Sequence, residues 1–147
     1  MKYSFAALAA LLAFGLAPAL AQDDNSPVFE NGPVWDIASI QTKDGHQDDY
    51  LHWLATDWRR QEEALKKAGV IVSYHVYLVQ NPRQGEPDIM LAQEYKNMAV
   101  FDQSQAQQYA LQAKIAGSIT KSNHEQAARG SIRTIQGDMM LREALLK

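Results

Sequence analysis

Cysteine is absent from this chain of 147 residues. That absence excludes disulfides, thiolate zinc sites, iron–sulfur ligation and a cysteine nucleophile at once. A strong charge of one sign is also lacking: 14 Lys and Arg stand against 17 Asp and Glu, a formal net charge of −3. A mildly acidic chain has no general basic footprint, so nucleic acid is not an expected partner. No Gly-x-Ser-x-Gly elbow, phosphate loop or dinucleotide fingerprint occurs, and no internal repeat or low-complexity segment. His124-Glu125 opens like a zinc-protease helix, but Ala128 stands where the second histidine belongs. What is present is ordinary for a globular protein, with 46% hydrophobic and 21% charged residues. The length suits one compact domain, since two would leave neither with a respectable core.

The chain opens on an address. Lys2 gives a positive start, Phe5 to Leu16 is an apolar run broken only by Gly15, and Ala19-Leu20-Ala21 fits a small-x-small cleavage site. Residues 1–21 read as a secretory signal, too short to span a bilayer and without a stop-transfer pattern behind it. The expected product is soluble and exported, with a bacterial periplasm as the compartment and no membrane contact after cleavage. Residues 22–33 are polar and carry Pro27, Gly32 and Pro33, which reads as a flexible leader.

A single domain over 34–147 follows. Val34 to Lys43 alternates as a strand, and Asp44-Gly45 is a turn. A helix runs from about Gln47 to Ala68, closed by Gly69. Val70 to Gln80 is a strand rich in β-branched and aromatic residues, Asn81 to Asp88 a loop, and Ile89 to Lys96 a third strand. A second helical region starts near Asp102 and reaches about Ser118, and Asn123 is placed to cap a further stretch to Ile135. Gly137-Asp138 reads as a turn into Met139 to Leu146, a last strand by position but equally helical by propensity. The order is βαββαβ. Right-handed crossovers put both helices on one face of a four-stranded antiparallel sheet, a ferredoxin-like α+β arrangement, and leave the other face bare.

Strand parity sorts the side chains between these faces. Ala38, Ile40, Val72, Tyr74, Val76, Leu78, Ile89, Leu91, Gln93, Tyr95, Met139, Leu141 and Leu145 form a mostly apolar, helix-facing set. The opposite set mixes Trp35, Ile37, Ile71, Met90, Met140 and Leu146 with Ser39, Ser73, His75, Tyr77, Glu94 and Arg142. Such a face is too apolar for open water and too polar for a sealed core. Pairing with a two-fold mate around a partly polar cavity satisfies both conditions, so a homodimer is expected. In the first helix Leu51, Leu54, Trp58 and Leu65 form the sheet-facing stripe, while Trp53 stands off it, over a neighbouring loop or at a subunit contact.

The segments YLHWLATDWRRQEEALKKAGVIVSYHVYLV and EYKNMAVFD, within Tyr50 to Asp102, resemble uncharacterised secreted bacterial proteins of the dimeric α+β barrel superfamily. That superfamily includes small antibiotic-biosynthesis-type monooxygenases, haem-degrading enzymes, chlorite-dismutase-like proteins and stress-response dimers. The resemblance covers most of the mature chain and implies a sheet-to-sheet dimer. Its cavities would lie between each sheet and its helices or within the barrel. Its motifs are architectural. Haem-binding members commonly carry a histidine on the helix after the third strand, and Asp102 to Lys121 has none. No cofactor is therefore expected, and the fold carries over without an activity.

The chemistry-bearing residues are few. His46, Asp48, Asp49 and His52 are the only metal-like cluster, and they read as the solvated, acidic start of a helix. No metal site is assigned to them. His75 is the candidate catalytic residue, either as a proton shuttle or as part of a polar network that fixes dimer register. Trp35, Ser39, His75, Tyr77, Glu94 and Arg142 are the candidate ligand-binding set, with Arg142 pairing an anion. Tyr74 and Tyr95 read as core aromatics. Arg59-Arg60 and Lys66-Lys67 read as a solvated helix face with Glu62 and Glu63 as i,i+4 partners. Three functions follow: an exported dimer binding a small organic ligand, a cofactor-independent monooxygenase-like enzyme, and a structural or interaction module.

Overall fold

The computed structural model describes residues 26–147. The signal over 1–21 and the first residues of the expected leader lie outside the described residues. The elements in order are β1 (Phe29–Thr42), α1 (Gln47–Trp53), a π-helical turn (Leu54–Trp58), α2 (Arg59–Lys67), β2 (Ser73–Leu78) and β3 (Ile89–Tyr95). A 3-10 turn (Met98–Asp102), α3 (Gln105–Ala116), α4 (Ile119–Arg129) and β4 (Arg133–Leu146) complete the chain. The strands form one antiparallel sheet in the order β2-β3-β1-β4, the ferredoxin-like arrangement expected from the element order.

The first helical rod was legible to within a residue. Its end is a Schellman motif: Gly69 adopts φ +72°, its N–H donates to the Lys66 carbonyl, and the Val70 N–H donates to the Leu65 carbonyl. The π-turn in its middle was not foreseen. Tyr50, Leu54, Trp58 and Glu62 are spaced by four and are all buried. In a regular α-helix Tyr50 and Glu62 would point roughly 120° apart, at about 100° per residue. One extra residue accommodated in a π-turn cancels most of that drift and keeps all four toward the sheet.

Two cores result. Ile40, Tyr50, Leu54, Trp58 and Ile89 form one, with Tyr74 edge-on to Trp58 at 5.3 Å between ring centroids. Val34, Ile71 and Tyr95 form the second, flanked by Leu65, Val100 and Phe101. Trp53 covers its own chain: it stacks on Tyr50, and the Arg129 guanidinium lies 4.1 Å above its ring.

Several boundaries differ from expectation. β1 begins at Phe29, so residues 29–33 of the expected leader are strand, paired with the end of β4 through Phe29 to Leu146 and Asn31 to Ala144. The register slips by one between Asn31 and Val34, and Gly32 lies so close to β4 that a Cβ would stand 3.0 Å from that of Glu143. β4 begins at Arg133, and Gly137 is not a turn but part of a bulge, where register shifts between Ser39 and Ile40. Ser104, not Asp102, caps α3 in a capping box with Gln107. Ser118, not Asn123, caps the next helix, which ends at Arg129 rather than Ile135. Ile71 precedes β2 and is buried beside Val34 and Tyr95 instead of lying on the bare face.

Candidate functional site

The face of the sheet away from the helices is laid out by register in three rows. Ser73, Glu94, Trp35 and Leu141 form the first; His75, Ala92, Ile37 and Met139 the second; Tyr77, Met90, Ser39 and Gly137 the third. His75 lies between Trp35, 5.9 Å away by ring centroids, and Tyr77, stacked on it at 5.8 Å. Ser73 Oγ donates to Glu94 Oε2 at 2.5 Å and lies 3.4 Å from His75 Nε2. Trp35, His75, Tyr77 and Glu94 are therefore brought together as expected. Ser39 shares their face but sits in the outer row beside Gly137.

Arg142 does not join them. It pairs with Val34, whose side chain is in the helix-side core, so Arg142 is on the opposite face. The whole of β4 from Met139 is reversed relative to expectation. Met139 and Leu141 share the Trp35 and Ile37 face, while Met140 shares that of Asp36. Tyr77, Met139 and Leu141 are all about half exposed in the single chain, which leaves a broad apolar and aromatic surface in water.

The helix side holds a second feature, at a place where the resemblance implied a cavity but whose residues sequence reading did not name. A cavity of about 330 Å³ lies between α2, α3 and the end of β3. Its walls are Leu65, Val70, Tyr95, Phe101, Leu111 and Ile115, with glutamines 61, 103, 108 and 112 around them. Glu62 enters it from α2 and is only 3% exposed. Its expected place was a solvated helix face. Instead, Gln93 Nε2 donates to Glu62 Oε2 at 2.7 Å, and the Tyr95 hydroxyl donates to Gln93 Oε1 at 2.8 Å. Glu63, the other expected ion-pair partner, accepts from the Tyr74 hydroxyl at 2.6 Å.

Burial sets the electrostatics here. Loss of water pushes the Glu62 carboxyl up to about 7, and the Gln93 bond pulls it only partly back. Burial, helped by the charges of Asp36 and Glu62, pushes the Tyr95 hydroxyl up to about 12. Asp36, opposite Gln93 in the register, is also raised, first by burial and then by Asp138. No Lys, Arg or His lines the cavity among the described residues. A pocket of this size with apolar walls, a few glutamines and one buried carboxyl suits a small organic molecule. The signal that pointed to Glu62 was available only as a spacing of four from Tyr50 through Trp58, legible once the π-turn is known.

The expected solvated helix start is seen at His46, whose Nδ1 lies 2.8 Å from Asp49 Oδ2. Among the described residues no group of three acidic or histidine side chains is placed to hold a metal. No helix among them is long and apolar enough to cross a membrane.

No family model and no curated protein matches the chain. Solved structures do. A dimeric ferredoxin-like protein from an uncultured marine organism is 13% identical with a TM-score of 0.50, over 80% of this chain and 98% of that one. HapK from Hahella chejuensis is 11% identical with a TM-score of 0.49, over 75% and 91%. An EthD-like protein from Ralstonia eutropha is 14% identical with a TM-score of 0.45, over 78% and 92%. The first likeness shows the fold, a ferredoxin-like sheet with its helices on one face.

Proposed function

We propose that this chain is an exported homodimer that binds a small organic molecule in the cavity between α2, α3 and the sheet. The observation that carries the reading is the cavity itself, about 330 Å³, apolar along its walls and ending on the buried Glu62. Export rests on Lys2, the apolar run from Phe5 and the Ala19-Leu20-Ala21 site, with Gln22 as the mature N-terminus.

The dimer rests on the bare sheet face. Trp35, Ile37, Met90, Met139 and Leu141 present apolar surface there, and Glu94 is already engaged by Ser73. A second copy related by a two-fold axis covers this face without a foreign partner. It also turns the Trp35, His75 and Tyr77 cluster inward, where ring stacking fixes the register between subunits. The dimeric state of the marine protein, similar in fold, supports the same arrangement.

The cavity is tested by thermal stabilisation of the mature protein against a library of small aromatic and alicyclic compounds. A site there gives concentration-dependent stabilisation. Leu111→Trp, which places an indole in the cavity, is expected to abolish it while leaving the circular dichroism spectrum unchanged. Hits that stabilise Leu111→Trp as well as the native chain would show that they bind elsewhere, and the cavity would lose its role.

A further inference from the structure

The cavity has a polarity that its volume alone does not convey. Tyr95 donates to the Gln93 carbonyl oxygen, and this turns the Gln93 amide nitrogen toward Glu62. Every hydrogen bond in the relay therefore runs toward the carboxylate, and Glu62 is its terminal acceptor. Gln93 is the one described side chain that donates to Glu62, whereas an ionised carboxylate offers about four acceptor sites. Only Oε2 is engaged among the described residues, and Oε1 is not among the fully buried unpartnered atoms. It therefore opens to the cavity that Glu62 lines, where a donor that brings positive charge meets it best.

The cavity lining supplies an acid and no base, while Lys67 and Lys114 line an adjoining groove that shares Leu111 and Ile115. Asp36 lies opposite Gln93 on the same helix-side face, and Asp138 lies opposite Ala38 two positions along. No cationic side chain lines the cavity among the described residues. Tyr95 and Phe101, with ring centroids 4.8 Å apart, wall the same space, and aromatic faces attract cations.

The geometry points to an organic amine as the occupant: a protonated nitrogen on Glu62 and an aryl or alkyl body between Tyr95, Phe101, Leu111 and Ile115. This rests on the cavity being a ligand site, as proposed above. A cavity of about 150 Å³ holds benzene, so roughly twice that volume takes a body of about a dozen heavy atoms. The glutamines at 61, 103, 108 and 112 then meet the ligand's remaining polar groups as neutral partners.

Isothermal titration calorimetry of the mature protein tests this with three matched triads of amine, alcohol and carboxylate. They are built on phenylethyl, indolylethyl and naphthylmethyl bodies. In at least one triad the amine is expected to bind about 10- to 100-fold more tightly than its alcohol, the worth of a charge-assisted hydrogen bond, with the carboxylate weakest. Glu62→Gln is expected to bring the amine down to the level of the alcohol. Tyr95→Phe, which keeps the ring but frees the Gln93 amide to turn, is expected to narrow the preference several-fold. An alcohol or carboxylate that binds as tightly as its amine in every triad that binds overturns the amine assignment and leaves the cavity as a ligand site. An amine preference that survives in Glu62→Gln overturns the assignment in the same way. Binding by no member of any triad overturns both readings.

Discussion

Replacing Glu62 by glutamine should make the protein more stable above neutral pH and leave it nearly unchanged in acid. The side chain is buried, and in the folded chain its carboxyl titrates near 7 instead of the ordinary 4.5. A raised acid pKa means that the folded state prefers the proton. The associated stability is fully present below pH 4.5 and is lost as pH climbs through 7. At 1.36 kcal/mol per unit, the loss is about 3 kcal/mol by pH 8.5. Glutamine keeps the shape and can still accept from Gln93, but it carries no charge at any pH. The difference in unfolding free energy between variant and native chain should thus grow by about 3 kcal/mol from pH 4 to pH 8.5. For a domain of this size that corresponds to roughly 10 °C in melting temperature. Urea denaturation of both proteins at one fixed protein concentration measures it, and titrations elsewhere in the chain cancel in the difference. A gap that stays flat with pH would refute the claim that the Glu62 charge is buried without a compensating cation. Gaining stability while losing amine binding is the pattern expected of a functional group held at a structural cost.

Two further outcomes bear on the sheet. Leu141→Glu places a charge on the bare face, where the leucine is 46% exposed in the single chain. It should leave the fold intact and halve the mass measured by light scattering, whereas an unchanged dimer mass would move the subunit contact elsewhere. Gly32→Val should destabilise the chain by about 1–3 kcal/mol in urea, because even a Cβ meets Glu143 at 3.0 Å. A neutral result would show that residues 29–33 do not pair with β4 in solution.

The sequence carried the architecture further than the site. The first helical rod and β3 were legible because hydrophobic period and composition agree there with the tertiary structure. In contrast, β2 is only Ser73–Leu78 of the expected Val70 to Gln80, and Val72, Val76 and Leu78, read as core, are exposed. The two ends of the sheet were not legible, for one shared reason. Gly32-Pro33 and Gly137-Asp138 carry the local chemistry of turns, yet both mark register slips within long paired strands. Only the distant partner strand distinguishes a bulge from a turn. The same blindness inverts β4. Met139, Leu141 and Leu145 read as core because they are apolar, but on a face proposed to meet a second copy apolar residues are needed too. Arg142, as their alternate, then reads onto the wrong side. Glu62 was hidden by helical arithmetic: a strict 3.6-residue period swings it away from Tyr50, and the π-turn brings it back. Trp35, His75, Tyr77 and Glu94 are found from alternation alone, since no bulge falls among them.

Native mass spectrometry of the protein, purified gently from its native source, tests the account most directly. It is expected to show twice the chain mass, with one small basic molecule retained per chain and released when Trp replaces Leu111. Single chains under the same conditions, or dimers whose bound molecule survives that replacement, would contradict it.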